Sequence, residues 1–342
     1  MSRDVYLVGS VPLANAREVF ETVSAVLGPY LRRIPDGETG ERINWVFWQE
    51  KLFANHPAFE RSDRDFRLHA TSGLSRRYRL KPDVSPRDVQ FDNLFYADVA
   101  IESYRAFAAL KEQGKIAADT KFQVDLVPAH SVIWLFVDED LHEVIDPIYN
   151  AAVRREIDKL AASIPHDQLA IQLDVASAVF ARRGDVSTYG RSKDEMQQTF
   201  SRILLDLGNH VPKDIDLLYH FCYGDAGHRH VVEPSDMGDM VELANRLSTG
   251  ITRSIELIHM PVPHDRSDDT YFAPLMELKL RPETQLCLGL VHHTDGIDGT
   301  RRRLATAEKF VRDFAIGTEC GFGRRDPATI PELLRIHAEA AA

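Results

Sequence analysis

His220 and Cys222 stand two residues apart at the end of the run Leu217-Leu218-Tyr219-His220-Phe221-Cys222-Tyr223-Gly224. Apolar and aromatic residues lead into two soft metal ligands, and a Gly-Asp pair then ends the run as a turn would. This pattern predicts a buried strand with both ligands at its exit. Residues two apart on a strand share a face, so an imidazole nitrogen and a thiolate can converge on one ion without backbone distortion. A His-x-Cys pair on an apolar strand is more often two core residues, so a zinc reading needs further ligands from elsewhere in the chain.

The elements that would position those ligands follow from length and pattern. At 342 residues the chain exceeds the usual domain, yet one α/β barrel of roughly 250 residues plus insertions would accommodate it. A hydrophobic fraction of 44% and a charged fraction of 27% suit a globular protein, with no apolar run near the ~20 residues a membrane helix needs. The start Met1-Ser2-Arg3-Asp4 has no signal-peptide pattern, so a cytoplasmic location with reduced thiols is expected. Cys222, Cys287 and Cys320 are then core residues, ligands or nucleophiles rather than disulfides. A net charge of −11 without a clustered basic face argues against nucleic acid as a partner.

Eight strand candidates are spaced along the chain: Val5 to Gly9, Phe66 to Thr71, Lys121 to Val127, Leu169 to Asp174, Asp216 to Cys222, Arg253 to His259, Gln285 to Val291 and Phe314 to Glu319. Helical patterns alternate with them, at Asn15 to Leu27, Asn93 to Gln113, Leu141 to Ile164, Ser192 to Leu207, Ser235 to Leu247 and Thr300 to Asp313. Apolar strands alternating with helices imply a parallel sheet buried on both faces. Without a Gly-rich dinucleotide fingerprint, eight units favour a (βα)8 TIM barrel, here one domain over residues 1–342. Gly28 to Asp65 and Thr71 to Asn93 are then long insertions after strands one and two. The first contains Ile34-Pro35-Asp36-Gly37-Glu38-Thr39-Gly40, too rich in turn residues for a regular element, leading into an aromatic helix through Trp45 and Trp48.

Barrel enzymes carry their chemistry where strands end and βα loops begin. There the predicted strands deliver Gly9-Ser10, Asp174, His220 with Cys222, Glu256 with His259, the pair His292-His293, and Cys320. His220, Cys222, Glu256 and Cys320 make a tetrahedral shell whose sulfur and imidazole favour Zn2+ over magnesium or calcium. Glu256 lies among apolar residues, where a carboxylate is costly unless a charge or metal satisfies it. Cys287 has no partner at the strand exit and reads as core. His228 and His230 sit in a loop without sulfur, which favours surface or substrate roles, and His264 is similar.

These residues resemble the catalytic zinc barrel of the cobalamin-independent methionine synthases, from Val8 to Arg325 and in the family's order. The resemblance implies a methyltransferase of the 5-methyltetrahydropteroyltriglutamate-homocysteine type, acting in methionine biosynthesis, with a zinc-bound thiol as methyl acceptor. It implies that His220, Cys222, Glu256 and Cys320 hold the zinc. Val8-Gly9-Ser10 would contact the amino-acid substrate, Glu38 would help bind it, and Asp174 would take its ammonium group. Trp134 falls where the family has a tryptophan beside the methyl donor. His292 or His293 would be the proton donor; the local sequence does not choose between them.

The chain also departs from that family. Val175-Ala176 stands where Glu-Pro is expected after Asp174, and the acidic folate contact is replaced around Phe180. The N-terminal barrel of the folate-using enzymes is not expected within these 342 residues. Methyl or alkyl transfer to a thiol such as homocysteine is therefore better supported than methionine synthesis itself, and the donor is open between folate, corrinoid and other molecules. The partners expected are a small thiol and a methyl donor, and an oligomer is compatible with the sequence. The rival classes are a zinc-water hydrolase, whose first strand commonly supplies a His-x-His pair, and a non-catalytic barrel that binds zinc or an amino acid.

Overall fold

A computed structural model describes residues 2–64, 66–67, 74–176, 192–224, 230 and 233–342. Its strands are β1 (Arg33–Pro35), β2 (Phe59–Arg61), β3 (Phe66–Arg67), β4 (Leu74–Ser75), β5 (Tyr78–Leu80), β6 (Lys121–Leu126), β7 (Leu169–Val175), β8 (Asp216–Phe221), β9 (Leu257–Pro261), β10 (Gln285–Val291) and β11 (Ala315–Thr318). Seven of them form one sheet in the order β1-β6-β7-β8-β9-β10-β11. Every pairing within it is parallel. Val5 is bridged in parallel to Leu31, just before β1, and to Ile316 of β11, so the N-terminal segment lies between the two outermost strands. Tyr6 N–H donates to the Ile316 carbonyl and Ile316 N–H to that of Asp4, at 2.8 and 3.0 Å.

The helices follow capping chemistry visible in the sequence. Asn15 accepts from the Glu18 amide at 3.0 Å and starts the helix Ala16–Leu27. Ser192 and Glu195 form a reciprocal capping box that starts Lys193–His210. Two apolar clusters result. The larger packs the helices against the outside of the sheet. A smaller one, Tyr6, Val8, Ala170, Leu218, Leu257, Cys287 and Ala315, joins the N-terminal segment to five strands and places Cys287 in the core, as its neighbours suggest.

Two sequence expectations need correction. The second strand of the sheet is Arg33–Pro35, a stretch with the turn residues of a loop, and not the segment from Phe66. Phe66–Arg67 pairs antiparallel with Leu74–Ser75 outside the main sheet, and Thr71 lies outside the described residues. No long insertion therefore separates the N-terminal segment from the next strand: the extra chain lies between β1 and β6, before the helix Tyr96–Glu112. Three residues suffice for β1 because Arg33, Ile34 and Pro35 are all buried and their register to Lys121, Phe122 and Gln123 is unbroken. The sixth strand likewise begins at Leu257, four residues later than the apolar pattern predicts.

Candidate active site

A cavity opens at the C-terminal ends of the parallel strands. One side of its wall is sulfur and imidazole: His220, Cys222 and Cys320, whose ligand atoms all lie within 4.8 Å of one another. His220 ends the apolar run of β8, Cys222 follows it, and Cys320 follows β11. The two sulfurs are 4.0 Å apart. The Gly224 amide donates to Cys222 Sγ, and Arg324 Nη2 to Cys320 Sγ, each at 3.3 Å. Burial, with His259 and Arg324 nearby, holds His220 well below the usual imidazole range, so its ring is neutral and keeps a lone pair.

The other side is acidic. Glu38, Asp125 and Asp174 line it, together with Ser10, Trp45 and Ala176. Asp174 and His220 are register partners on β7 and β8, about 4.8 Å apart at the backbone. A repeated Gln-x-Asp pattern on neighbouring strands aims two of these carboxylates. Gln123 Nε2 donates to Asp125 Oδ1 at 3.0 Å and Gln172 Nε2 to Asp174 Oδ1 at 2.8 Å. Both glutamines also donate to the Val8 carbonyl, at 3.0 and 2.9 Å. Gly9 follows, and a Cβ there would lie 2.3 Å from Asp125 Oδ2, so only glycine lets the strands approach this closely.

Glu38 and Trp45 reach the cavity through uncommon backbone conformations, with φ of 45° and 54°. Asp36 anchors this loop: it accepts from the Glu38 amide at 2.9 Å, from Ser103 Oγ at 2.8 Å and from Arg42 Nη2 at 2.7 Å. Trp45 Nε1 then donates to Asp174 Oδ2 at 2.9 Å. Such strain persists only where surrounding contacts over-determine it, and here it delivers two polar side chains to one wall. Burial pushes Glu38 up to about 8, reinforced by the nearby charge of Asp174. Burial also raises Asp174 to about 6, against the hydrogen bonds from Gln172 and Trp45, and raises Asp125 well above its ordinary range. Three carboxylates that resist ionisation in a closed space favour a cationic guest.

The structure brings together Ser10, Glu38, Asp174, His220, Cys222 and Cys320, with Gly9 directly behind the wall. It does not bring Glu256. That residue precedes β9, where Oε2 accepts from the Leu217 amide at 2.6 Å and Oε1 from Ser254 Oγ at 2.7 Å. Leu217 lies near the start of β8, so Glu256 sits at the opposite end of the strands, about 10 Å or more from His220. Its carboxylate is satisfied by backbone, Ser254 and Arg253 instead of a metal. Trp134 is buried in the helix Ala129–Phe136 and is not among the described residues of the cavity wall.

Neither His292 nor His293 lines the wall among the described residues. His292 Nε2 is 2.8 Å from the Val262 carbonyl and must donate to it, and burial pushes the ring down to about 4. His293 is only partly buried and lies toward Glu332. His230, by contrast, pairs with Glu319 at 3.0 Å, immediately before Cys320. Burial opposes its charge, but Glu319 and Glu233 raise it to about 9. His228 and Phe180 lie outside the described residues. Sequence reasoning missed Asp125 and Trp45 as wall residues. The doubled Gln-x-Asp pattern was a signal for the first, and nothing short of the loop's fold gave the second.

No protein-family model matches the chain. The uncharacterized protein YxjG of Bacillus subtilis (strain 168) is 28% identical over 158 residues, which is 44% of this chain and 39% of that relative. The match thus spans well under half of the relative's length. Among solved structures, one described as a vitamin-B12-independent methionine synthase from Listeria monocytogenes has a TM-score of 0.60 at 15% identity, covering 100% of this chain and 98% of that one. A B12-independent methionine synthase from Shewanella sp. W3-18-1, in complex with selenomethionine, has a TM-score of 0.57 at 15% identity over 83% of this chain and 75% of that one. A methyltransferase from Methanosarcina mazei has 0.55 at 12% identity, over 99% and 93%. The chain therefore has the fold of the B12-independent methionine synthase structures, the family its motifs resemble.

Proposed function

We propose that this chain is a zinc-dependent transferase that moves a methyl or other alkyl group onto a substrate thiol, homocysteine being the acceptor of first choice. On this reading residues 1–342 form one (βα)8 barrel, closed by the Val5 segment, with the site at its mouth. The observation that carries the proposal is the clustering of His220, Cys222 and Cys320 within 4.8 Å, across a cavity from Asp174 and Glu38.

The donor set fits zinc. Two sulfurs bound tetrahedrally at about 2.3 Å each would stand about 3.8 Å apart, close to the 4.0 Å found. With Glu256 elsewhere, the three ligands leave a fourth position open, as catalytic zinc sites do. Bound zinc would supply a Lewis-acidic centre that keeps a substrate thiol ionised at neutral pH.

The chain's own residues hold the rest of the acceptor. Asp174 and Glu38, joined by Asp125, receive its ammonium group, and Trp45 keeps Asp174 oriented. Fixing the acceptor this way converts an encounter into a positioned reaction, worth several kcal/mol of the barrier. Ala176, in the Val175-Ala176 pair, gives the cavity an apolar edge that suits a donor less polar than a folate. A buried His292 that is neutral and already donates to Val262 is poorly placed to protonate a leaving group. The test is purification without added metal, followed by zinc quantification and a mass-resolved methyl-transfer assay with homocysteine. About one zinc per chain and methionine formation from any donor would support the reading, whereas a metal-free protein active after chelation would end it.

A further inference from the structure

His259 has no part in the site so far. It is fully buried on β9, where its Cα is the parallel register partner of His220 on β8. The two Nδ1 atoms are 2.8 Å apart, and His259 Nε2 is 3.0 Å from the Thr318 carbonyl, two residues before Cys320. A carbonyl can only accept, so His259 carries a proton on Nε2. A neutral imidazole whose one proton sits on Nε2 presents a bare Nδ1. The short Nδ1 contact then needs a proton from His220 Nδ1. With that proton on Nδ1, a neutral His220 keeps its lone pair on Nε2 alone.

We propose that His259 is a positioning residue for the metal centre: it accepts from His220 Nδ1–H, donates to the Thr318 carbonyl, and so fixes the tautomer that frees His220 Nε2 for a metal shared with Cys222 and Cys320. The same relay ties the strand carrying His220 to the strand leading into Cys320. This rests on the metal reading of the site given above. A ligating histidine whose second nitrogen is hydrogen-bonded holds its ring orientation, and loss of such a partner typically costs 10–100-fold in metal affinity.

Two measurements on the full chain test it. In metal-free protein with 15N-labelled histidine, long-range proton–nitrogen spectra should show His220 protonated on Nδ1 and His259 on Nε2. His259→Leu should abolish that single tautomer at His220 and weaken zinc binding about 10–100-fold in competition with a chromophoric chelator. His259→Asn places an amide oxygen near the lost Nδ1 and should restore both the tautomer and most of the affinity. Wild-type His220 protonated on Nε2 would overturn the inference. So would unchanged affinity in the leucine variant, or an asparagine variant no better than leucine, which would point to His259 as a ligand in its own right. Failure of the wild type to bind zinc at all, despite the expected tautomers, would instead remove the metal reading, and the role assigned to His259 with it.

Discussion

The sulfurs of Cys222 and Cys320 stand 4.0 Å apart, although 98 residues separate them in the chain. A disulfide needs about 2.05 Å, so the two cysteines are free, and on the zinc reading their spacing suits a shared ion. Cys222→Ser should reduce retained zinc after dialysis against a mild chelator from about one per chain to under about a tenth. Glu256→Gln should leave zinc content unchanged and lower stability by about 1–2 kcal/mol, because it weakens an acceptor for the Leu217 amide and Ser254. Elemental analysis and denaturant unfolding read the two effects separately. A glutamine variant that loses its zinc would return Glu256 to the ligand set.

Asp174→Asn should weaken binding of an amino-acid thiol by about 10–100-fold, the difference between a charge-assisted and a neutral hydrogen bond. A simple alkyl thiol, which has no ammonium group, should bind within about twofold of wild type. Calorimetric titration of the two ligands decides, and equal losses would make the carboxylate structural.

The acidic wall carries a pH signature of definite sign. Glu38 is raised to about 8 by burial and by Asp174, and Asp174 is raised to about 6. A carboxyl whose folded value lies above its unfolded value contributes stability fully below the unfolded value and loses it as pH rises through the folded one. The ligand-free protein should therefore lose several degrees of Tm between about pH 5 and 8, and Glu38→Gln should flatten that slope. Binding of an ammonium-bearing acceptor should strengthen over the same range as Asp174 and then Glu38 ionise. Thermal melts across the range, with and without acceptor, check both halves.

The donor should not be ordinary polyglutamylated methyl-folate. Val175-Ala176 stands where the family its motifs resemble has Glu-Pro, Ala176 gives the cavity wall an apolar edge, and loss of a polar partner for a pterin discriminates strongly against it. With homocysteine as acceptor, methyl-folate should give kcat/KM far below about 10⁴ M⁻¹s⁻¹. A methylcorrinoid and small sulfonium or aryl-ether compounds complete the panel, and a folate rate at or above that level would make this an ordinary methionine synthase.

Much of this arrangement was legible in the residues. The apolar runs ending in Asp174, His220 and Cys222 declared strands with polar exits, because parallel strands buried on both faces leave few other readings. Cys320 could be placed with them since its strand ends in the same direction. Arg33–Pro35 was hidden because three residues carry no periodicity, and its burial comes from β6 and the N-terminal segment. Glu256 misled for a related reason. Ser254-Ile255-Glu256-Leu257-Ile258-His259 reads as one unbroken strand, but hydrogen bonds from Ser254 and Leu217 and an ion pair with Arg253 hold Glu256 before the strand begins. The strand runs from Leu257 to Pro261 where the apolar pattern predicts Arg253 to His259, which leaves Glu256 just before its start and not at its exit.

The loop after Cys320 is seated on the other end of the chain. Phe322 N–H donates to the Ser10 carbonyl, Gly323 N–H to Ser10 Oγ across 313 positions, and a Cβ on Gly321 would lie 2.3 Å from that same oxygen. His220 and Cys222 are therefore synthesised well before the residues that seat Cys320. On the zinc reading, Cys320 joins His220 and Cys222 once the loop ending at Gly323 is seated on Ser10. On that reading the three-ligand site belongs to the completed fold, and a product truncated before β11 would carry His220 and Cys222 without Cys320.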